Sequence, residues 1–256
     1  MTLTIAGAPA VGLLLASVRV VAWLFVVPPF SSRAVPATAK VVLSVALAIA
    51  AAPLMPTTSV PVTTGELVLA VFNEVLVGVS MGFVTYVLFA TIASAGSIID
   101  VFGGFSLAQG FDPLGLTMNT VMGKLHQMLA TVLLFVSGGH LLVIGGLLRT
   151  FEMLPVGSAP DLGNGAQVLS KAFGIFFVTA VQIALPMIAV LFIADLGLAL
   201  MTKVAPQLNA INVMFPAKIG LTLLLVGLSF PVLPGVVDRL VELAMQATSA
   251  MAGGSS

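Results

Sequence analysis

The sequence predicts an all-α membrane protein of about six apolar helices, and three observations carry that expectation. Of its 256 residues, 59% are hydrophobic and only 7% are charged, and the mean hydropathy is +1.22. A soluble domain carries about 25% charged residues, so an ordinary water-soluble core is excluded. Six segments approach the ~20 apolar residues that a bilayer crossing requires. The breaks between them fall on prolines, which supply no backbone donor and clash with the preceding helical turn.

The first segment, 11–27, stops at Pro28-Pro29. No Lys or Arg precedes it, so it lacks the basic region of a cleaved signal and is read as a retained helix. The second, 40–55, stops among Pro53, Pro56 and Pro61. The third, 67–92, is separated from the fourth, 125–148, by a break containing Asp112-Pro113. Pro155 and Pro160 precede the fifth, 173–201, in which Pro186 predicts a kink. The sixth, 219–245, carries Pro231 and Pro234 and predicts another, and Pro206 and Pro216 bracket the break before it.

Orientation follows from the basic residues. Odd loops hold Arg33, Lys40, Lys124, Lys203 and Lys218, against Arg149 and Lys171 on even loops. The excess places loops 1, 3 and 5 in the cytoplasm and both termini outside. The formal net charge is zero, which leaves no basic footprint for nucleic acid. Cysteine is absent, and His126 and His140 are too few for a metal centre, so no cofactor or metal is expected.

The third loop reads "DVFGGFSLAQGFDPLGLTM" over 100–118. Gly103, Gly104, Gly110 and Gly115 with Pro113 argue against a spanning helix, since each interior Gly costs about 1 kcal/mol relative to Ala and each Pro about 3. Phe102, Phe105 and Phe111 make the loop apolar all the same. Irregular backbone at membrane depth needs burial in protein or an adjoining cavity. Two readings stand open here: a re-entrant or occluding segment in a pore, and an apolar loop packed on its own bundle.

"GVSMG", 78–82, matches the spacing of a hydrolase nucleophile elbow, but it lies inside a continuous apolar run without a base nearby. The same residues form G-x-x-x-G, which lets helix backbones approach closely in lipid, and helix packing is the better reading. Charges inside apolar segments mark function or pairing. They are Arg19, Glu74 and Asp195, and structural pairing, for example to a neighbouring subunit, is favoured over ion transport. His140 in "SGGHLLVIGG" suits a hydrogen bond to a helix carbonyl. Met118, Met122 and Met128 cluster after the glycine-rich loop, where thioethers can seal gaps or simply fill core.

"KVAPQLNAINVMFPAK", 203–218, separates the last two apolar segments. It reads as a hairpin tip stopped by Pro206 and Pro216. Gln207, Asn209 and Asn212 both donate and accept, so they can bond like side chains on neighbouring subunits. Leu208, Ile211 and Phe215 offer an apolar face, and Lys203 and Lys218 suit headgroup level. A plain polar turn is the alternative.

Eight stretches occur in an order that resembles one family. They are "SSRAVPATAK" (31–40), "NEVLVGVSMGF" (73–83), "AGSIID" (95–100), "GFDP" (110–113), "GGH" (138–140), "RTFEMLPVG" (149–157), "ALP" (184–186) and "APQLNAINVMFPAK" (205–218). Together they resemble the FliR family of export-gate proteins in the flagellar type III secretion apparatus and its injectisome counterparts. The resemblance implies a non-enzymatic subunit without cofactors, in the bacterial inner membrane at the flagellar basal body. It implies FliP-like and FliQ-like partners in a hetro-oligomeric pore for unfolded export substrates, with FlhB-like and FlhA-like proteins at the cytoplasmic mouth and lipid around it. It further implies helical hairpins in a tilted, raised assembly, with a FliP-like part at 1–170 and a FliQ-like hairpin at 171–256. The family's plug falls near 103–118, which assigns Gly103, Gly104, Phe105, Gly110, Phe111, Asp112, Pro113 and Met118 to it. A secondary transporter is the alternative, since broken helices and midplane charges also mark transporters; the two halves show no evident repeat.

Overall fold

The computed structural model describes the backbone of residues 3–55, 63–105, 120–204 and 210–253. Every regular element among them is helical: α1 Leu3–Val26, α2 Ala37–Ala51, α3 Thr64–Gly103, α4 Val121–Val136, α5 Gly139–Met153, α6 Leu162–Val204, α7 Ala210–Ser229 and α8 Leu233–Met251. Short 3-10 turns at Ala52–Leu54 and Phe230–Val232 follow α2 and α7.

The expected stops act locally as their chemistry dictates. α1 ends before Pro28, and Pro36, in extended conformation, precedes α2. Pro53 and Pro231 sit in the first positions of the two 3-10 turns, where a missing N–H costs nothing. α3 opens with a reciprocal capping box: Glu66 N–H donates to Thr63 Oγ1, and Thr63 N–H donates to the Glu66 carboxylate, both at 3.3 Å. Pro186 is accommodated inside α6.

The expectation of six separate spans is corrected. Four helices among the described residues are long and apolar enough to cross a membrane, or five if the bent α4–α5 pair counts as one. The segment 125–148 is that pair, bent by 74°. Gly138, with φ 74°, takes the left-handed conformation that an L side chain rarely adopts, and so breaks the apolar run without a proline. α1 contributes only a shorter apolar stretch, Ala10–Val26. The third and fifth segments instead grow into helices of 40 and 43 residues, about twice a single crossing. Residues 100–103, assigned from sequence to a loop, belong to α3. Of the spans, α3 is the interior one: 61% of its most apolar window is buried, against 22% in α6 and 17% in Phe215–Met251.

The chain forms two compact units. The first comprises Met1–Leu88, Gly138–Gly174 and Asp238–Ser256. In it α1 packs on α2, which also meets α5. Its fully buried side chains include Trp23, Leu24, Met81, Leu147, Phe151 and Leu240. The second comprises Phe89–Ser137 and Ile175–Val237. Its core gathers Ile99, Met122, Ala184, Met187 and Val226. Ala184 of α6 with Val226 of α7, and the Asp195–Lys218 pair nearer the turn, show that these helices form an antiparallel hairpin.

Candidate functional site

Two of the three charges found inside apolar segments meet in the first unit. Arg19 and Glu74 are both fully buried and form a two-pronged ion pair, with Nε to Oε2 at 2.6 Å and Nη2 to Oε1 at 3.1 Å. Their remaining capacity goes to the connection between α5 and α6. Arg19 Nη1 donates to the Leu154 carbonyl at 3.0 Å, and the Gly157 N–H donates to Glu74 Oε1 at 2.6 Å. The guanidinium also lies 4.4 Å from the centre of the Phe151 ring. A pair withdrawn from water is tolerated when extra hydrogen bonds satisfy its remaining donors and acceptors, and here they do. The node ties α1, α3 and residues 151–157 together, so that "NEVLVGVSMGF" and "RTFEMLPVG", far apart in sequence, become one structure.

Close packing beside this node explains "GVSMG". A Cβ added at Gly78 would collide with the Arg19 carbonyl oxygen and come within 2.9 Å of Ala22 Cβ; one at Gly82 would reach 3.0 Å from Val26 Cβ. The two glycines are the groove into which α1 fits, as small residues allow in lipid. The Ser80 hydroxyl donates to the Val77 carbonyl of its own helix at 2.9 Å. Lys40, counted from sequence with the loops, is buried, with its ammonium 4.9 Å from the centre of the Phe25 ring.

The third charge lies in the second unit. Lys218 Nζ reaches Asp195 Oδ2 at 2.8 Å, and both side chains keep partial exposure. One turn on, Thr222 Oγ1 stands 2.8 Å from the Lys218 carbonyl and 3.4 Å from that of Gly103. Its single proton goes to the nearer acceptor. Gly103 is the last residue of α3, and a Cβ there would come within 2.8 Å of Thr222 Cγ2. Gly104 follows with φ 86° and would place a Cβ 3.6 Å from the Lys218 Cδ. The end of α3 therefore lies against the hairpin at the point where its ion pair forms. Phe105, also half-buried, packs against the unit's core.

The second unit also buries an acid that its local sequence does not single out. Asp100, fully buried, accepts the Met122 N–H at 3.0 Å through Oδ1, covering a donor at the start of α4. His126, also fully buried, places Nδ1 2.8 Å from the Met122 carbonyl. Gly96, one turn before Asp100 on α3, is where α4 comes so close that a Cβ would stand 2.9 Å from the His126 ring.

The remaining expected positions separate into two groups. Gly110, Phe111, Asp112, Pro113 and Met118, and likewise Pro206, Gln207, Leu208 and Asn209, lie outside the described residues. Lys203 stands exposed in the last turn of α6. Asn212 and Pro216 were assigned to a loop, but α7 already begins at Ala210 and carries Pro216 in its interior. Pro216 is seven residues into the helix, so it removes one backbone hydrogen bond instead of stopping the element. Lys218 is likewise engaged with Asp195 within α7, not standing at a helix base. His140 is hydrogen-bonded or otherwise engaged.

These features define an all-helical, multi-pass membrane protein with one buried and one partly exposed ion pair among its apolar helices. Over residues 10–244 the chain matches the family described as bacterial export proteins, family 1. It is 34% identical over 191 residues to the flagellar biosynthetic protein FliR of Escherichia coli, covering 75% of this chain and 73% of that one. With the FliR of Pectobacterium carotovorum it shares 30% identity over 223 residues, or 87% and 85% of the two chains. The FliR of Bacillus subtilis is 30% identical over 200 residues, with 77% of each chain covered. The chain belongs to the FliR family of bacterial export proteins, and so to the components of the flagellar export apparatus.

Proposed function

We propose that this chain is the non-enzymatic FliR-like subunit of a protein-export pore in the bacterial inner membrane, at the flagellar basal body. In this reading it assembles with FliP-like and FliQ-like subunits, passes unfolded export substrates, and meets FlhB-like and FlhA-like proteins on the cytoplasmic side. Residues 1–170 act as a FliP-like part and 171–256 as a FliQ-like hairpin. The segment 103–118 acts as the plug of the lumen, and 203–218 as the partner-contacting end of the hairpin.

One observation supports this reading above the others. The α6–α7 hairpin is strongly apolar yet mostly uncovered: Phe177, Ile193, Leu200 and Leu228 are each more than half exposed. A chain working alone in a bilayer can leave such faces to lipid. A hairpin longer than the hydrocarbon core, about 30 Å thick, also leaves apolar surface where lipid tails do not reach, and neighbouring hairpins of the same kind would cover it.

The test is conductance. Deleting 106–110 in a complex assembled with its FliP-like and FliQ-like partners should admit ions or small solutes across the membrane. Unchanged conductance, with the complex intact, would defeat the plug assignment.

A further inference from the structure

The first unit encloses a half-open cavity of about 290 Å³ that none of the features above uses. α3 contributes Val79, Ser80 and Phe83, α6 contributes Ala166 and Leu169, and α8 contributes Met251. Its size is near the lower end of small-ligand pockets, about 300 Å³.

The chemistry of the wall selects the occupant. A water here would need about two to four polar partners, and the lining offers only Ser80 and Asp161 as polar side chains, both as acceptors. Ser80 has already donated its proton to Val77. Asp161, at the rim, accepts the N–H groups of Gly163 and Asn164 at 3.0 and 3.1 Å through one oxygen. The other lining side chains are hydrocarbon or thioether. Val79 and Phe83 are 40% and 37% exposed, so the cavity communicates with what surrounds the protein. For a multi-pass membrane protein, those surroundings are the bilayer.

Length points the same way. From Asp161 to Leu169 the wall runs about 12 Å along α6, at 1.5 Å per residue. One leaflet of hydrocarbon is roughly 15 Å deep. One turn beyond Leu169, the Phe173 ring meets that of Phe83 edge to face at 6.3 Å. The cavity thus runs from a polar rim along an apolar wall, somewhat shorter than a leaflet is deep, towards an aromatic pair.

We propose that this cavity is a lipid subsite, which takes one acyl chain of a membrane phospholipid with the headgroup at the Asp161 rim. The chain replaces contacts that the protein's own side chains do not make there, and braces the start of α6 against the middle of α3. The inference rests on the protein's being embedded in a membrane, and not on the pore reading, so either can fail without the other.

The test reconstitutes the full-length protein in vesicles of phosphatidylethanolamine in which some molecules carry a diazirine on one acyl chain. After illumination, labelled residues are mapped by mass spectrometry. Labelling should concentrate on Val79, Phe83 and Leu169 above the level of the openly exposed Ile193 and Leu200. Ala166→Trp, which fills the cavity from an exposed helix position, should abolish that excess, and Leu200→Trp should leave it. Both variants are checked for an unchanged elution profile, and Ala166→Gly, which removes bulk, should retain labelling if Ala166→Trp fails to fold. Labelling spread evenly over exposed residues would overturn the proposal, reducing the cavity to ordinary bilayer contact. So would photo-crosslinking from Leu169 to a neighbouring subunit in the assembled complex, which would make the occupant a protein.

Discussion

Replacing Glu74 by Gln keeps the shape of the side chain and removes its charge, which isolates what the buried pair contributes. In the native protein the carboxylate accepts from Arg19 Nε, Arg19 Nη2 and the Gly157 N–H. An amide has one acceptor oxygen, and its NH₂ must face one of those donors. The Arg19 guanidinium stays fully buried, with the Leu154 carbonyl and the Phe151 ring as its remaining compensation. Leaving a buried charge without its partner costs about 3–5 kcal/mol, or between roughly two and four powers of ten in the folding equilibrium at 1.4 kcal/mol per decade. Removing both charges behaves differently, because replacement of a buried pair by apolar residues is often neutral or stabilising by about 1–4 kcal/mol. Arg19→Met with Glu74→Met should therefore recover most of the stability lost by Glu74→Gln alone. The assay is unfolding of the purified protein in detergent, followed by the fluorescence of Trp23. This is the sole tryptophan; it is fully buried one turn along α1 from Arg19. A Glu74→Gln protein as stable as the wild type would refute the reasoning, and a double variant as weak as the single would show that the charges themselves stabilise the fold.

Gly78→Ala should destabilise by about 1–3 kcal/mol, the usual range for overpacking, because its methyl would meet the α1 backbone; Gly145→Ala, with nothing within 4 Å, should be neutral or gain up to about 1 kcal/mol of helix propensity. The same fluorescence assay separates the two. Asp195→Lys should reduce motility in soft agar by setting two cations together, and Asp195→Lys with Lys218→Asp should restore it; loss in both would show that the pair serves something other than its mutual attraction. The chain has no cysteine, so single cysteines report topology cleanly. At Thr58 and Ser158 they should react with an impermeant reagent on spheroplasts and at Asn209 should not, and the reverse pattern would invert the orientation.

What the sequence made legible was mainly what a short stretch decides for itself. Proline clusters predicted breaks that the helices respect, and composition sufficed for the membrane class. Arg19 and Glu74 stood out singly because charge inside an apolar run is costly. Their union was hidden because 55 residues and another helix separate them, and nothing local encodes the Leu154 carbonyl that completes the node. The bend at Gly138 has no local signature, since glycine in an apolar helix is otherwise tolerated and only its positive φ sets it apart. Pro216 misled in the opposite sense. A proline between polar residues suggested a boundary, yet α7 runs through it, as membrane helices permit when neighbouring groups satisfy the freed carbonyl. Asp100 resembles a loop residue in sequence because the glycines after it look like breakers; its burial depends on α4, which no local pattern reveals.

The measurement that bears most directly on the pore reading is a purification. An affinity-tagged copy of the chain, expressed with the other export proteins of its host and extracted in mild detergent, should elute with FliP-like and FliQ-like subunits, identified by native mass spectrometry. Recovery of the chain as a stable oligomer of itself, without those subunits, would contradict the account and favour a transporter.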